Sequence, residues 1–157
     1  HELLLGVVYD PCLDECFYAW KGGGAYLNGQ SLQVSSVRSM EASFVVTELP
    51  YNSEQYARTG EYLIRELYGR VAGIRMNGSA AIALCYVAAG RFDAWLEAFL
   101  GKWDFSAAAL IVQEAGGRVT DFYGNAGFID GHHVVATNGW LHPFLLELVQ
   151  KAMPLGM

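Results

Sequence analysis

Two segments of this 157-residue chain predict helices that are apolar on almost every side. The first covers residues 79–89 (SAAIALCYVAA) and the second covers residues 104–115 (DFSAAALIVQEA). A helix on the surface of a globular protein is apolar along one stripe, so an evenly apolar helix is buried on several sides. The chain therefore has to supply neighbours on more than one side of each helix, and this requirement limits the folds that it can adopt.

The first third of the chain predicts antiparallel β structure. Residues 3–9 form an apolar, Leu- and Val-rich strand, and Asp10-Pro11 is a typical turn dipeptide. Residues 16–22 (CFYAWKG) predict the second strand of a hairpin. Asn28-Gly29 is a strong signal for a further hairpin, because a type I′ turn needs positive φ at both central residues. The glycines of KGGGAYLNG therefore serve turns.

After about residue 38, predicted strands alternate with predicted helices. The strand segments are SFVVTEL, VAGIR, RFDAWLEA, GRVTD and HHVVATN. The helices cover residues 53–68 (with Ser53 as its cap), 79–89, 104–115 and 141–152. This alternation indicates a mostly parallel sheet covered by helices. We predict an α/β fold of layered α+β type, in which antiparallel strands (1–38) are followed by an α/β domain (39–157).

Composition excludes several classes of function. The net charge is −6 and no basic run occurs, so a nucleic-acid surface is not expected. No stretch approaches the roughly 20 apolar residues of a membrane span, and no basic segment precedes an apolar run, so we expect a cytoplasmic protein. Cys12, Cys16 and Cys85 have no zinc or redox spacing and are expected to be reduced.

Three acidic residues, Asp93, Glu97 and Asp104, lie close together in the sequence. Glu97 lies near the end of its predicted strand and Asp104 opens the next helix, so both are expected in one crevice at the carboxyl edge of the sheet. Carboxylates of this kind suit Mg²⁺. From spacing alone, Asp104 as an N-terminal helix cap and Asp93 as a solvated strand residue remain alternatives.

The segment RMNGSAA (residues 75–81) joins a strand to a helix, and its exposed N–H groups favour anions or hydroxyls. Ser79 as an ordinary N-cap is the alternative interpretation. His132 and His133 are adjacent on a strand and point to opposite sides, so they are expected to be surface residues and not one site. No Ser-His-Asp spacing is present.

Four stretches together resemble the inositol monophosphatase family: GVVYDP, YAWKGGGAYLNGQSLQVS, RMNGSAAIALCYVAAGRFDAWLE and KWDFSAAALIVQEAGGRVTD. The resemblance implies a Mg²⁺-dependent phosphomonoesterase of stacked α/β layers, usually a homodimer. It implies that Asp104 binds a catalytic Mg²⁺ and lies near the substrate, and that Glu97 bonds to inositol hydroxyls. It further implies that Gly78, Ser79 and Ala80 line the inositol ring. The implied reaction is in-line attack of metal-activated water on phosphorus.

The family's other metal ligands lie in a Glu-Glu element and an Asp-Pro-Ile-Asp-Gly-Thr loop, and nothing in this chain matches them. The chain therefore resembles the C-terminal half of such an enzyme, with the remaining catalytic residues expected upstream of His1. The resemblance implies that residues 1–38 are the last strands of the first, antiparallel sheet of that fold and that residues 39–157 form its αβα layer. We expect the isolated chain to be inactive, because Asp104 alone is a poor Mg²⁺ site. We also expect the apolar LLLGVVY strand to associate with another copy or with a missing half.

Other functions remain open at this point. The substrate is expected to be a small phosphorylated polyol such as inositol monophosphate. A nucleotide 3′-phosphatase or a fructose bisphosphatase of the same superfamily is an alternative. A third possibility is a non-catalytic interaction module that kept the fold and lost the metal site.

Overall fold

The computed structural model describes residues 2–48 and 54–153, without the side chains of residues 54–56. The first four strands form an antiparallel sheet in sequential order. They are β1 (Leu5–Asp10), β2 (Glu15–Trp20), β3 (Ala25–Leu27) and β4 (Gln30–Ser31). The two predicted hairpins are present, and Asn28 and Gly29 both adopt positive φ in the β3–β4 turn.

A second sheet of five strands follows. Its members are β5 (Phe44–Thr47), β6 (Gly73–Arg75), β7 (Ala94–Ala98), β8 (Arg118–Thr120) and β9 (His133–Thr137). Their order is β6-β5-β7-β9-β8. Four of these strands run in one direction, but β9 lies antiparallel between β7 and β8. The chain reverses after β8 without a crossover helix, which is why the parallel pairing stops at β7.

The part of the chain that the structure describes contains four α-helices: α1 (Glu54–Leu67), α2 (Ala80–Ala88), α3 (Lys102–Glu114) and α4 (His142–Ala152). The predicted cap at Ser53 lies outside the described residues. Helix α3 begins before the predicted start at Asp104, because Gly101 takes the N-cap position. Asp104 is therefore the third residue of the helix and not its N-cap.

Helices α2 and α3 lie between the two sheets, which explains their uniform apolar character. One core cluster joins Phe17 of the first sheet and Trp95 of the second to both helices. A second cluster lies on the other face of the second sheet, where Leu63 of α1 and Leu145 of α4 pack against Leu96. The layers are therefore the first sheet, α2 with α3, the second sheet, and α1 with α4.

The first sheet is held closely to α3. A Cβ on Gly6 would lie 2.4 Å from the carbonyl oxygen of Ala107, so only glycine allows this approach. Near the other end of α3, the Glu114 carboxylate accepts the backbone N–H groups of Gly22 at 2.8 Å and Gly24 at 2.9 Å. The glycine-rich hairpin is thereby attached to α3. The division at residues 38 and 39 stays a prediction, because one core spans both parts.

Within the described ranges, no helix has the length and apolar character needed to cross a membrane. The three cysteines are free thiols. Cys85 is buried in α2, and burial raises the pKa of its thiol, which keeps it protonated.

Candidate active site

A cavity of about 440 Å³ opens at the carboxyl edge of the second sheet. Strands β5 and β7 are parallel neighbours that both end there. The helices that follow them, α1 and α3, cover opposite faces of the sheet. The connections that follow these two neighbouring strands thus leave the sheet toward opposite faces. Open α/β sheets bind ligands at a topological switch point of this kind. The lining residues are Glu48, Gly78, Ser79, Ala80, Ala81, Glu97, Phe99, Leu100, Trp103 and Asp104.

The structure thus brings together the five residues that the sequence selected: Gly78, Ser79, Ala80, Glu97 and Asp104. They come from the loop before α2, from β7 and from the first turn of α3. Their position in one cavity is a finding, whereas their individual roles stay predictions.

Asp104 closes the N-terminus of α3. Its Oδ2 accepts the backbone N–H of Gly101 at 2.8 Å, and its own N–H donates to the Gly101 carbonyl at 3.0 Å. This reciprocal pair satisfies groups that a helix start leaves free. The cap engages one carboxylate oxygen, and Asp104 still lines the cavity, so capping is compatible with a ligand role.

Glu97 is the fourth residue of β7 and lies on the same strand face as the buried Trp95, toward α2 and α3. Its Oε2 is buried and has no hydrogen-bond partner within the described part of the chain. Burial, together with the charges of Glu48 and Asp104, raises the pKa of Glu97 to about 7. A buried acceptor without a partner calls for a donor, such as a hydroxyl group or a cation.

The segment before α2 presents backbone to the cavity. Gly78 has φ of +71°, a conformation that favours glycine, and no atom of the described residues lies within 4 Å of a Cβ placed there. Ser79 is the N-cap of α2, as the alternative interpretation predicted, and its Oγ accepts the N–H of Ile82 at 3.5 Å. That bond is long, so the Ser79 hydroxyl is weakly engaged.

Sequence reasoning missed Glu48, which follows β5 directly and lines the same cavity. The register pairs Thr47 with Leu96, so Glu48 lies level with Glu97 on the neighbouring strand. Its Oε1 accepts the backbone N–H groups of Asn77 at 2.5 Å and Gly78 at 2.9 Å. The available signal was an acidic residue at the carboxyl end of a buried strand, next to the strand that carries Glu97.

Asp93, the third acidic residue of this part of the sequence, does not line the cavity. Asp93 precedes β7, at the opposite end from Glu97, and is 5% exposed, so it is not a solvated strand residue either. Its carboxylate accepts the Ser35 hydroxyl at 2.5 Å and the Phe44 N–H at 2.6 Å. Asp93 therefore holds the connection between the two sheets.

The histidines are placed differently from the expectation. His132 is exposed, but His133 is partly buried beside the rings of Phe99 and Phe122, with centroids 5.8 Å and 5.3 Å away. Burial and the neighbouring His132 lower the pKa of His133. The sequence gives no signal for the fully buried His142, which α4 places in the core of the molecule.

The described residues contain no group of three His, Cys, Asp or Glu side chains arranged to hold a metal ion. Mg²⁺ is held by few protein carboxylates together with waters and substrate oxygens. The chemistry of Asp104 fits one such ligand, and Glu48 and Glu97 add negative charge to the same cavity. The donor set therefore fits a contribution to a Mg²⁺ site that needs further ligands.

Comparison with known proteins identifies the family and the fold. The sequence profile of the inositol monophosphatase family matches residues 1–153. The chain belongs to the inositol monophosphatase family. Within this family, it is 45% identical over 150 residues to Nus factor SuhB of Pseudomonas aeruginosa, covering 94% of this chain and 55% of the relative. It is 37% identical to the inositol-1-monophosphatase of Rhizobium meliloti, covering 98% of this chain and 58% of the relative.

Solved structures of the family share the architecture. The IMPase of Thermotoga maritima superposes with a TM-score of 0.87 at 35% identity, covering 98% of this chain and 58% of that chain. The SuhB protein of Bartonella henselae has a TM-score of 0.89 at 36% identity, covering 94% and 57% of the two chains. This chain therefore spans about half the length of the relatives that it matches.

Proposed function

We propose that this chain is part of a Mg²⁺-dependent phosphomonoesterase that hydrolyses inositol monophosphate or a similar polyol phosphate. The observation that carries the proposal is the convergence of Gly78–Ala80, Glu97 and Asp104 on one cavity, in a chain that matches the family over residues 1–153. Mg²⁺, when bound, supplies positive charge for the phosphate group and activates the attacking water.

The residues of this chain have distinct roles in the proposed reaction. Asp104 offers a carboxylate oxygen to the metal and stays in place because its other oxygen accepts the Gly101 N–H. Glu97 accepts a hydrogen bond from a hydroxyl group of the polyol, which gives its buried Oε2 a partner. The backbone of Gly78–Ala80 lies against the polyol ring, since a positive φ at Gly78 turns it toward the cavity.

The experiment joins this chain to the part of the Pseudomonas aeruginosa relative that it does not match. We expect Mg²⁺-dependent release of phosphate from inositol 1-phosphate by the joined protein and none by the chain alone. Fructose bisphosphate and adenosine bisphosphate in the same assay separate the alternative substrates. Turnover by the chain alone would contradict the proposed sharing of the metal site, and an inactive joined protein would contradict the enzyme assignment.

A second candidate function is a non-catalytic interaction module. It is supported by the relatives at 42–45% identity, which carry the name Nus factor SuhB and not the name of an enzyme. An inactive joined protein would favour this reading. The presence of an Asp-x-x-Asp-Gly-Thr loop in the region upstream of His1 would favour the enzyme.

We further propose a cytoplasmic homodimer with no nucleic-acid or membrane partner. Exposed apolar side chains support association between copies, since Trp103 at the rim of the cavity is 86% exposed. Sedimentation of the joined protein tests this, and a monomer at all concentrations would contradict it.

A further inference from the structure

Glu48 has a contact pattern that sets it apart from the other acidic residues of the cavity. Its Oε1 accepts two consecutive backbone N–H groups, those of Asn77 and Gly78, immediately before the N-cap of α2. The acceptor comes from β5, 29 residues earlier in the chain. One carboxylate therefore fixes the segment that turns into the cavity and links it to the second sheet.

The Glu48 carboxylate lies next to a helix N-terminus, where negative charge is favoured. Free N–H groups before and within the first turn of a helix form an anion-binding site, and the helix dipole adds to the attraction. In α2, the weak 3.5 Å bond from Ile82 to Ser79 Oγ leaves this end poorly capped by its own side chains. Glu48 supplies the anion from within the protein, so the two N–H groups before α2 are already engaged.

The negative charges around the cavity also disfavour a phosphate group at the N-terminus of α2. Glu48 lies level with Glu97 on the neighbouring strand, and Asp104 lies on the far side of the same cavity. A phosphate group that approached the N-terminus of α2 would meet the Glu48 carboxylate and find the N–H groups of Asn77 and Gly78 occupied. A neutral hydroxyl group meets no such repulsion.

We propose that Glu48 is a positioning residue that shapes the Gly78–Ala80 segment and orients the substrate. It excludes the phosphate group from the N-terminus of α2, so that the neutral polyol lies there and the phosphate lies toward Asp104. This proposal rests on the proposed function, since it takes the cavity as the substrate site. The contacts of Glu48 themselves are independent of any reaction.

The test uses the 157-residue chain and backbone amide signals in NMR spectra. In the unchanged protein, we expect the Asn77 and Gly78 amides to be protected from hydrogen exchange and to respond only weakly when inorganic phosphate is added. Glu48→Ala removes acceptor and charge, and Glu48→Gln removes the charge but keeps a carbonyl acceptor. Glu61→Ala, at an exposed position of α1, is the matched control.

We expect Glu48→Ala to lose the protection of both amides and to bind inorganic phosphate at them about 5-fold more tightly than the unchanged protein, the size of a helix-terminus charge effect. Glu48→Gln should keep partial protection and also gain phosphate binding, because the charge is gone. Glu61→Ala should do neither.

Unprotected Asn77 and Gly78 amides in the unchanged protein would overturn the proposal, even if Glu48→Ala fails to fold. Unchanged phosphate affinity in a folded Glu48→Gln would overturn the claim that Glu48 excludes the phosphate. Neither readout needs catalysis, so a failure of the proposed function in the phosphatase assay is distinguishable from a failure here.

Discussion

Asp104 and Gly101 form a reciprocal pair at the start of α3, with the Asp104 carboxylate 2.8 Å from the Gly101 nitrogen. The acid that the family resemblance assigns to a metal is therefore also a structural cap. The two roles use different oxygens of one side chain, and the cap holds the carboxylate toward the cavity. A substitution at this position has to be interpreted with both roles in mind.

Replacement of Asp104 separates these two roles. We expect Asp104→Ala to lower the free energy of unfolding by about 1 kcal/mol, because a capping acceptor is lost. Asp104→Asn should cost less than half of this, since its amide oxygen still accepts the Gly101 N–H. In the joined protein, both variants should lose Mg²⁺-dependent turnover. Urea unfolding and the phosphatase assay measure the two effects, with Glu61→Ala as the control, and equal destabilisation by both variants would argue against the cap.

His142 predicts a loss of stability in acid. The ring is fully buried, with Nε2 2.9 Å from Thr120 Oγ1 and Nδ1 3.1 Å from Thr137 Oγ1. The Thr120 hydroxyl donates to the Asp121 carbonyl, so it accepts from Nε2, and Thr137 donates to Nδ1. Burial, with a smaller effect of Arg118, lowers the pKa of His142 to about 4. The folded protein therefore holds a neutral ring.

Between pH 6.5 and about 4, the unfolded chain binds a proton at His142 that the folded protein does not, so stability falls as the pH falls through this range. The full effect is about 3 kcal/mol. Urea unfolding across this range measures it, and His142→Gln removes the ionisable group while keeping a donor and an acceptor. The same pH slope in His142→Gln would show that other groups cause it.

Glu97 predicts the opposite pH dependence. Its pKa in the folded protein is raised to about 7, so the folded state binds the extra proton between pH 4.5 and 7 and stability falls as the pH rises. We expect Glu97→Gln to be more stable than the unchanged chain above pH 7, by on the order of 1 kcal/mol after allowance for solvent screening. Below pH 4.5 the difference should vanish. A constant difference at all pH values would contradict a raised pKa.

The outer face of the first sheet predicts self-association of the isolated chain. Leu5 is 66% exposed, Val7 is 53% exposed, and Trp20 stacks on Tyr26 with centroids 5.2 Å apart on the same face. Among the described residues, β1 pairs only with β2, so its other edge is unpaired. This edge and the exposed face are together expected to bind another copy or the region that the relatives have in addition.

Sedimentation velocity should therefore detect concentration-dependent oligomers of the unchanged chain, and Val7→Lys should shift them toward the monomer. Tyr68→Lys, at an 80% exposed position at the end of α1, is the control and should leave the oligomers unchanged. A strictly monomeric chain, or equal effects of both variants, would disprove the role of this face.

Several features followed from the sequence alone. The even apolar character of α2 and α3 required burial on several sides, and the two sheets supply it. The hairpin at Asn28-Gly29 and the N-cap at Ser79 are local features, because a few adjacent residues determine their backbone conformation. The family motifs selected five residues that the fold brings to one cavity.

Only the tertiary structure decided the partners of the isolated acidic and histidine side chains. Asp93 and Glu97 look alike in the sequence, four residues apart, yet one is buried in a structural hydrogen-bond network and the other lines the cavity. Glu48 and His142 gained their environments from segments far away in the chain. Local patterns report which faces are buried, whereas the pairing of distant segments sets the charge, the desolvation and the partners of each ionisable group. The sequence therefore determined the burial of α2 and α3 and selected five residues of the cavity, and the tertiary contacts added Glu48 and determined how all six are held.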